Sequence, residues 1–178
     1  MSKHNHDADH ECVHCALLEA GMAPEEAWIQ GLKNIGTTIE NSGIAILGIG
    51  PGDDGTPSFT YTVGFTDIGL PEVICFGLDP MMLASFFNRY HAELLAMTKP
   101  SGPCVISDYF NMPFTVIDVD PIKAEDYLTQ AIAYYEVVKE GALKPTFVQW
   151  VLPDRNGVFP WSAKHVGFNQ PVLGSAPV

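Results

Sequence analysis

Residues Phe59–Leu78 read FTYTVGFTDIGLPEVICFGL, and the fold turns on them. Two apolar runs, Phe59–Thr66 and Glu72–Leu78, flank Asp67-Ile68-Gly69-Leu70-Pro71. The first run alternates: Phe59, Tyr61, Val63 and Phe65 fall on one side, and Thr60, Thr62, Gly64 and Thr66 on the other. Period-2 alternation of aromatic and β-branched residues predicts a strand with one face in the core. The Thr face is expected to be solvated, with threonine chosen for its β-propensity. Glycine inside a strand also marks the close approach of another backbone or of a ligand. The second run, Val73-Ile74-Cys75-Phe76, is apolar on both faces, as a central strand covered on both sides would be. Together they predict a β-hairpin or tight β-arch at the middle of a sheet.

Outward from this centre, helices and strands follow from punctuation. Pro24-Glu25-Glu26 opens a helix whose Trp28, Leu32, Ile35 and Ile39 share one face, and Asn41-Ser42-Gly43 stops it. Asp79-Pro80 and Asp120-Pro121 repeat one device, an N-cap followed by proline at the first helical position. The first of these helices buries Leu83, Phe86, Phe87, Tyr90 and Leu94; the second buries Tyr127, Ala131, Tyr134 and Val138 and ends at Gly141. Ile44–Ile49, Cys104–Tyr109, Phe114–Val119 and Thr146–Leu152 complete a set of six strands. The order is α-β-β-β-α-β-β-α-β, and strands that follow one another without a helix pair antiparallel. The expected fold is therefore α+β, a mostly antiparallel sheet with three helices. Residues 1–23 form a polar His/Cys-rich head, and 24–178 form one domain that includes a C-terminal strap, 153–178.

Composition excludes several functions. The net charge is −12, with 12 acids against Lys3 and Lys33 in residues 1–80. Such a chain repels phosphate backbones and anionic membranes and lacks the basic stripe of a nucleic-acid binder. No apolar run reaches the length of a membrane span, and the N-terminus has no signal-peptide core, so the expected location is the cytoplasm. There is no G-x-S-x-G, P-loop or H-E-x-x-H, and Asp53 stands where a dinucleotide fingerprint needs its third glycine.

Candidate chemistry lies in four places. Cys12-Val13-His14-Cys15 is a C-x-x-C that could hold Zn²⁺ with His10 and His14, work as a redox dithiol, or remain an unliganded head. His91 lies at the border of a helix's apolar face, where a histidine is either hydrogen-bonded structure or a titrating group. Asp154-Arg155-Asn156-Gly157 suits a type I turn, and Asp154 and Arg155 either pair or present a charged fork to an anion. Phe159-Pro160-Trp161 offers rigid aromatic surface, either docking Trp161 onto the core or lining a pocket. Cys75 and Cys104 read as small buried hydrophobes.

The chain resembles a bacterial family of unknown function, the domain numbered 4262. The resemblance rests on Cys12 and Cys15 before a helix, Gly43 opening a strand, and Phe59–Phe65. It continues through Gly69-Leu70-Pro71-Glu72, Gly77-Leu78 and Asn88, then Asp154-Arg155, Gly157, Phe159-Pro160-Trp161 and Gln170–Gly174. Ile44 departs from the pattern, standing where an aromatic is common, and the His-rich extension before Cys12 is long. The resemblance implies a cytoplasmic bacterial or phage-borne protein and carries no known activity.

Two functions remain in play. The first is a partner-binding or regulatory protein that uses the tail and the exposed sheet face. The alternative is a ligand-binding protein or enzyme whose pocket joins Tyr61, Thr62, Asn88, His91, Asp154, Arg155 and Trp161.

Overall fold

The computed structural model describes residues 13–96 and 114–177. The expected strand Cys104–Tyr109, with Cys104 itself, lies outside the described residues, as do His10 and Cys12. Five strands are described: β1 (Ala45–Ile49), β2 (Phe59–Val63), β3 (Glu72–Phe76), β4 (Thr115–Asp118) and β5 (Phe147–Val151). Five helices accompany them: α1 (Val13–Glu19), α2 (Pro24–Ser42), α3 (Pro80–Ala96), α4 (Pro121–Tyr127) and α5 (Thr129–Ala133).

The strands form one sheet in the order β1-β2-β3-β5-β4. β2 and β3 are the expected antiparallel hairpin, with Phe59 opposite Phe76 and Tyr61 opposite Ile74. β3 sits at the centre, buried at all five positions. The sheet is mixed rather than antiparallel throughout, because β3 and β5 run parallel, Glu72 opposite Phe147 and Cys75 opposite Trp150. Adjacency in sequence predicts only the pairing of successive strands. β5 is reached after three helices and β4, and it inserts between β3 and β4.

Helices cover both faces. Leu32, Ile35 and Ile39 of α2, Ala124 of α4 and Ala131 of α5 pack on Phe59, Tyr61, Val63, Ile74 and Phe76. Leu83, Phe87 and Leu94 of α3 pack on Val73, Cys75 and Trp150. The second layer corrects one expectation. The Thr face of β2 is not solvated: Thr60 and Thr62 are buried beneath α3, along with every other residue of the strand.

Local signals behave as their chemistry dictates. Gly43 ends α2 in the left-handed region at φ 82°. Asp79 Oδ1 accepts from the Met81 and Met82 amides at 3.0 and 3.1 Å, and Asp120 Oδ1 accepts from the Ile122 amide at 2.9 Å. The expected third helix is interrupted. Leu128, wholly buried, leaves helical geometry at φ −111°, and Tyr134–Val138 then forms a π-helical turn. Across this wider turn Tyr134 and the next residue, Tyr135, are both in the core. The short α1 packs against α2 and was not among the three expected helices.

β2 stops at Val63, three residues short of the expected end, because Gly64 turns the chain at φ 124°. A Cβ there would lie 2.9 Å from the Gly43 carbonyl oxygen and 3.1 Å from the Ile44 Cα, so both the torsion and the close backbone approach require glycine. A 3₁₀ turn, Phe65–Ile68, follows and swings Phe65 to the α3 side of the sheet; it remains core, in the opposite layer from Tyr61.

Candidate functional site

Two carboxylates organise polar structure, at opposite ends of the sheet's parallel pair. Glu72 begins β3 and is 0% exposed. Its Oε1 accepts from the Gly64 amide at 3.0 Å, the Thr66 amide at 2.9 Å and the Tyr135 hydroxyl at 2.8 Å. Its Oε2 accepts from the Thr62 hydroxyl at 2.8 Å. Thr62 Oγ1 in turn accepts from the Val73 amide at 2.9 Å. The β2–β3 ladder therefore ends at Tyr61 and Ile74, and side chains take over its hydrogen bonding. Burial, then the neighbouring Glu72 carboxylate, push the Tyr135 hydroxyl well above the ordinary tyrosine range, so it stays a donor. A carboxylate with four donors and no exposure is a structural knot: nothing remains to meet a substrate.

The second carboxylate, Asp154, follows β5. Its Oδ1 accepts from the Asn156 amide at 2.8 Å and the Val158 amide at 2.9 Å, and its Oδ2 from the Val166 amide at 3.0 Å. The Gly157 amide donates to the Asp154 carbonyl at 2.9 Å, closing the expected turn. The Val166 amide, then that of Val158, hold the Asp154 carboxyl below the ordinary aspartate range. Residues 155–168 carry no regular secondary structure, yet one side chain ties their start to their end. Phe168 lies against Gly77, just past the end of β3.

On this loop Phe159 and Trp161 stack with ring centroids 4.8 Å apart and planes 1° apart. Trp161 is 37% exposed, Phe168 38% and Val166 75%. Trp161 is thus surface, not an anchor in the core. The strap is held further on, by residues that sequence reasoning did not single out as a site. Gln149 Nε2 donates to the Pro171 carbonyl at 2.7 Å and its Oε1 accepts from the Leu173 amide at 2.8 Å. Gln170 exchanges the same pair of bonds with Leu152, at 3.0 and 3.3 Å, and Leu173 enters the core. A glutamine inside the apolar run Phe147–Val151 was the visible signal for this clamp.

The seven candidate pocket residues do not converge. The Tyr61 hydroxyl donates to Gln130 Oε1 at 2.8 Å on the α2/α5 side, and burial raises its pKa. His91 is on α3, on the other side, packed on Gly43 with its ring 5.8 Å from that of Phe65; burial lowers its pKa. Thr62 is committed to Glu72. Asn88 is exposed on α3. Only Asp154, Arg155 and Trp161 share a region, the tail loop. Cys75 is buried, its thiol pushed up to about 12 by burial. His14 and Cys15 lie on α1, whose first residues have no described side chains. Among the described residues no three His, Cys, Asp or Glu side chains gather as metal ligands, and no helix is long and apolar enough to cross a membrane.

A family model for a domain of unknown function, DUF4262, matches residues 38–166. The chain belongs to the DUF4262 family. The DUF4262 match contains both carboxylate centres, Glu72 with its partners through Tyr135 and the loop from Asp154 to Val166. Cys12 and Cys15 precede it, and the Gln170–Gly174 clamp follows it. No curated protein and no solved structure matches this DUF4262 chain.

Proposed function

We propose that this protein acts by binding a partner protein, through the tail loop 155–168. The observation that carries the reading is the Phe159–Trp161 stack. Two aromatic rings lie parallel, Trp161 exposed and Phe159 partly buried behind it, on a loop that Asp154 ties together. Exposed Val166 and Phe168 add apolar surface to the same loop. Rigid aromatics give contact area at small entropic cost, which is why they anchor interfaces. The interior polar centre, by contrast, is closed. Thr62, Gly64 and Tyr135 spend their hydrogen bonds on Glu72.

The test is co-purification from extracts of the native host, comparing wild type with Trp161→Ala and with Val166→Asp. Both positions are surface, so both variants are expected to fold. Wild type is expected to retain a partner that both variants lose. A partner retained by both, or none retained by wild type, refutes the reading.

A further inference from the structure

Charge on the tail loop is inverted relative to the rest of the chain. The protein carries 21 acids against 9 Lys and Arg, yet no acid follows Asp154, while Arg155 and Lys164 do. The Asp154 carboxylate keeps its charge, but its two oxygens are engaged by backbone amides, and Arg155 and Lys164 together leave the loop with a positive excess. Three other cations are taken up, while Lys33 and Lys144 are exposed without an ion pair among the described residues but have no aromatic loop beside them in sequence. Arg89 pairs with Glu93 and Lys139 with Asp67, both at 2.9 Å, and Lys123 Nζ donates to the Val172 carbonyl at 3.0 Å. Arg155 and Lys164 are exposed and form no ion pair among the described residues. They stand on the same short loop as Phe159 and Trp161.

We infer that the tail loop recognises a short acidic segment of a partner protein, one that sets apolar side chains beside its carboxylates; this rests on the partner-binding reading above. The Arg155 guanidinium suits bidentate capture of a carboxylate, and Lys164 supplies a second point charge. The aromatic stack and Val166 receive the apolar residues between the acids. A nucleic acid is disfavoured because every added nucleotide brings a phosphate toward a body of net charge −12. A peptide can keep its few acids on the loop and go no further. The acidic body gives the opposite contribution, repelling the segment everywhere except at this face, so it adds selectivity.

The experiment is fluorescence anisotropy with two labelled synthetic peptides sharing the same leucine and phenylalanine positions, one with glutamates between them and one with glutamines. The Glu peptide is expected to bind and to weaken as salt rises. Arg155→Glu combined with Lys164→Glu should lower its affinity by about tenfold or more, as reversing cations at a carboxylate-binding face does. The urea midpoint should not move, since both side chains are exposed. No binding of the Glu peptide, equal binding of the Gln peptide, or undiminished binding by the double variant overturns the inference. Tighter binding of single-stranded oligothymidylate, or self-association of the chain that the double variant abolishes, also overturns it. The two readings fail separately. If Trp161→Ala loses the host partner while the charge reversal keeps it, only the acidic-segment inference falls. If both Trp161→Ala and Val166→Asp keep the partner, the partner-binding reading falls as well.

Discussion

Glu72 and Asp154 do the same chemical job in opposite surroundings. Each collects backbone amides from a turn that would otherwise leave them unpaired: Gly64 and Thr66 for Glu72, and Asn156, Val158 and Val166 for Asp154. Glu72 works in the interior, with two hydroxyls completing its shell, and the turn it holds sends Phe65 into the core and leaves Asp67 and Ile68 at the surface. Asp154 works at the rim, and the loop it holds turns Phe159, Trp161 and Val166 outward. The difference teaches where to look for function. A polar centre that has satisfied itself in the interior fixes the fold, whereas one that shapes an exposed loop fixes a surface.

Glu72→Ala should have the largest effect. It takes the acceptor from the Thr66 amide and from the Thr62 and Tyr135 hydroxyls, each costing about 1–3 kcal/mol without one, while the Gly64 amide keeps the Tyr135 hydroxyl oxygen at 3.0 Å, for a total on the order of 3 kcal/mol after partial relaxation. Urea denaturation checks it, and a loss below about 1 kcal/mol would mean the knot is not structural. Tyr135→Phe removes one of the four donors and should cost about 1.5 kcal/mol in the same measurement. Thr60→Val should go the other way. The Thr60 hydroxyl is buried without a partner among the described residues, so a methyl in its place is expected to stabilise by up to about 1 kcal/mol.

Asp154 gives a pH test of the other half of the comparison. Its carboxyl is held below the ordinary aspartate range in the folded chain. The unfolded chain therefore binds the proton first as pH falls, so the contribution of Asp154 is full above the ordinary aspartate value and is lost as pH drops through the lowered one. Amide protection at Val158 and Val166, taken against the intrinsic exchange rate at each pH, should fall over that interval. Asp154→Asn should remove most of this dependence at Val158 and Val166. Protection at those two amides that does not change over that interval would mean that Asp154 does not hold the loop.

Trp161→Ala should have the smallest effect on stability, below about 1 kcal/mol, because it removes one aromatic stack at a half-exposed ring. A larger loss would make Trp161 a structural anchor and remove the contrast on which the partner-binding reading depends.

Much of this was legible in the residues. The hairpin at Phe59–Leu78, the central place of β3, both Asp-Pro helix starts and the Gly43 stop follow from alternation, apolar runs and capping chemistry. The Asp154–Gly157 turn was legible too, though not that Asp154 reaches on to Val166, twelve residues away. The parallel pairing of β3 with β5 was hidden because it joins strands distant in sequence. The burial of Thr60 and Thr62 was hidden because an alternating strand looks the same whether water or a helix covers its polar side. Glu72 carried a signal that could have been read: an acid opening a run apolar on both faces needs donors, and Thr62 and Gly64 stand on the neighbouring strand. Tyr135 lies four residues after Ala131 and eight after Tyr127, on the same helical face, but nothing in that spacing says that its hydroxyl meets Glu72.

The most direct test of the contrast between a closed interior centre and an open loop is hydrogen–deuterium exchange on the chain alone and in complex with the partner captured from its host. New protection should be confined to residues 155–168, with Gly64 and Thr66 unchanged. Protection centred on the β1 edge or on α2, with the tail loop exchanging as in the free chain, would contradict it.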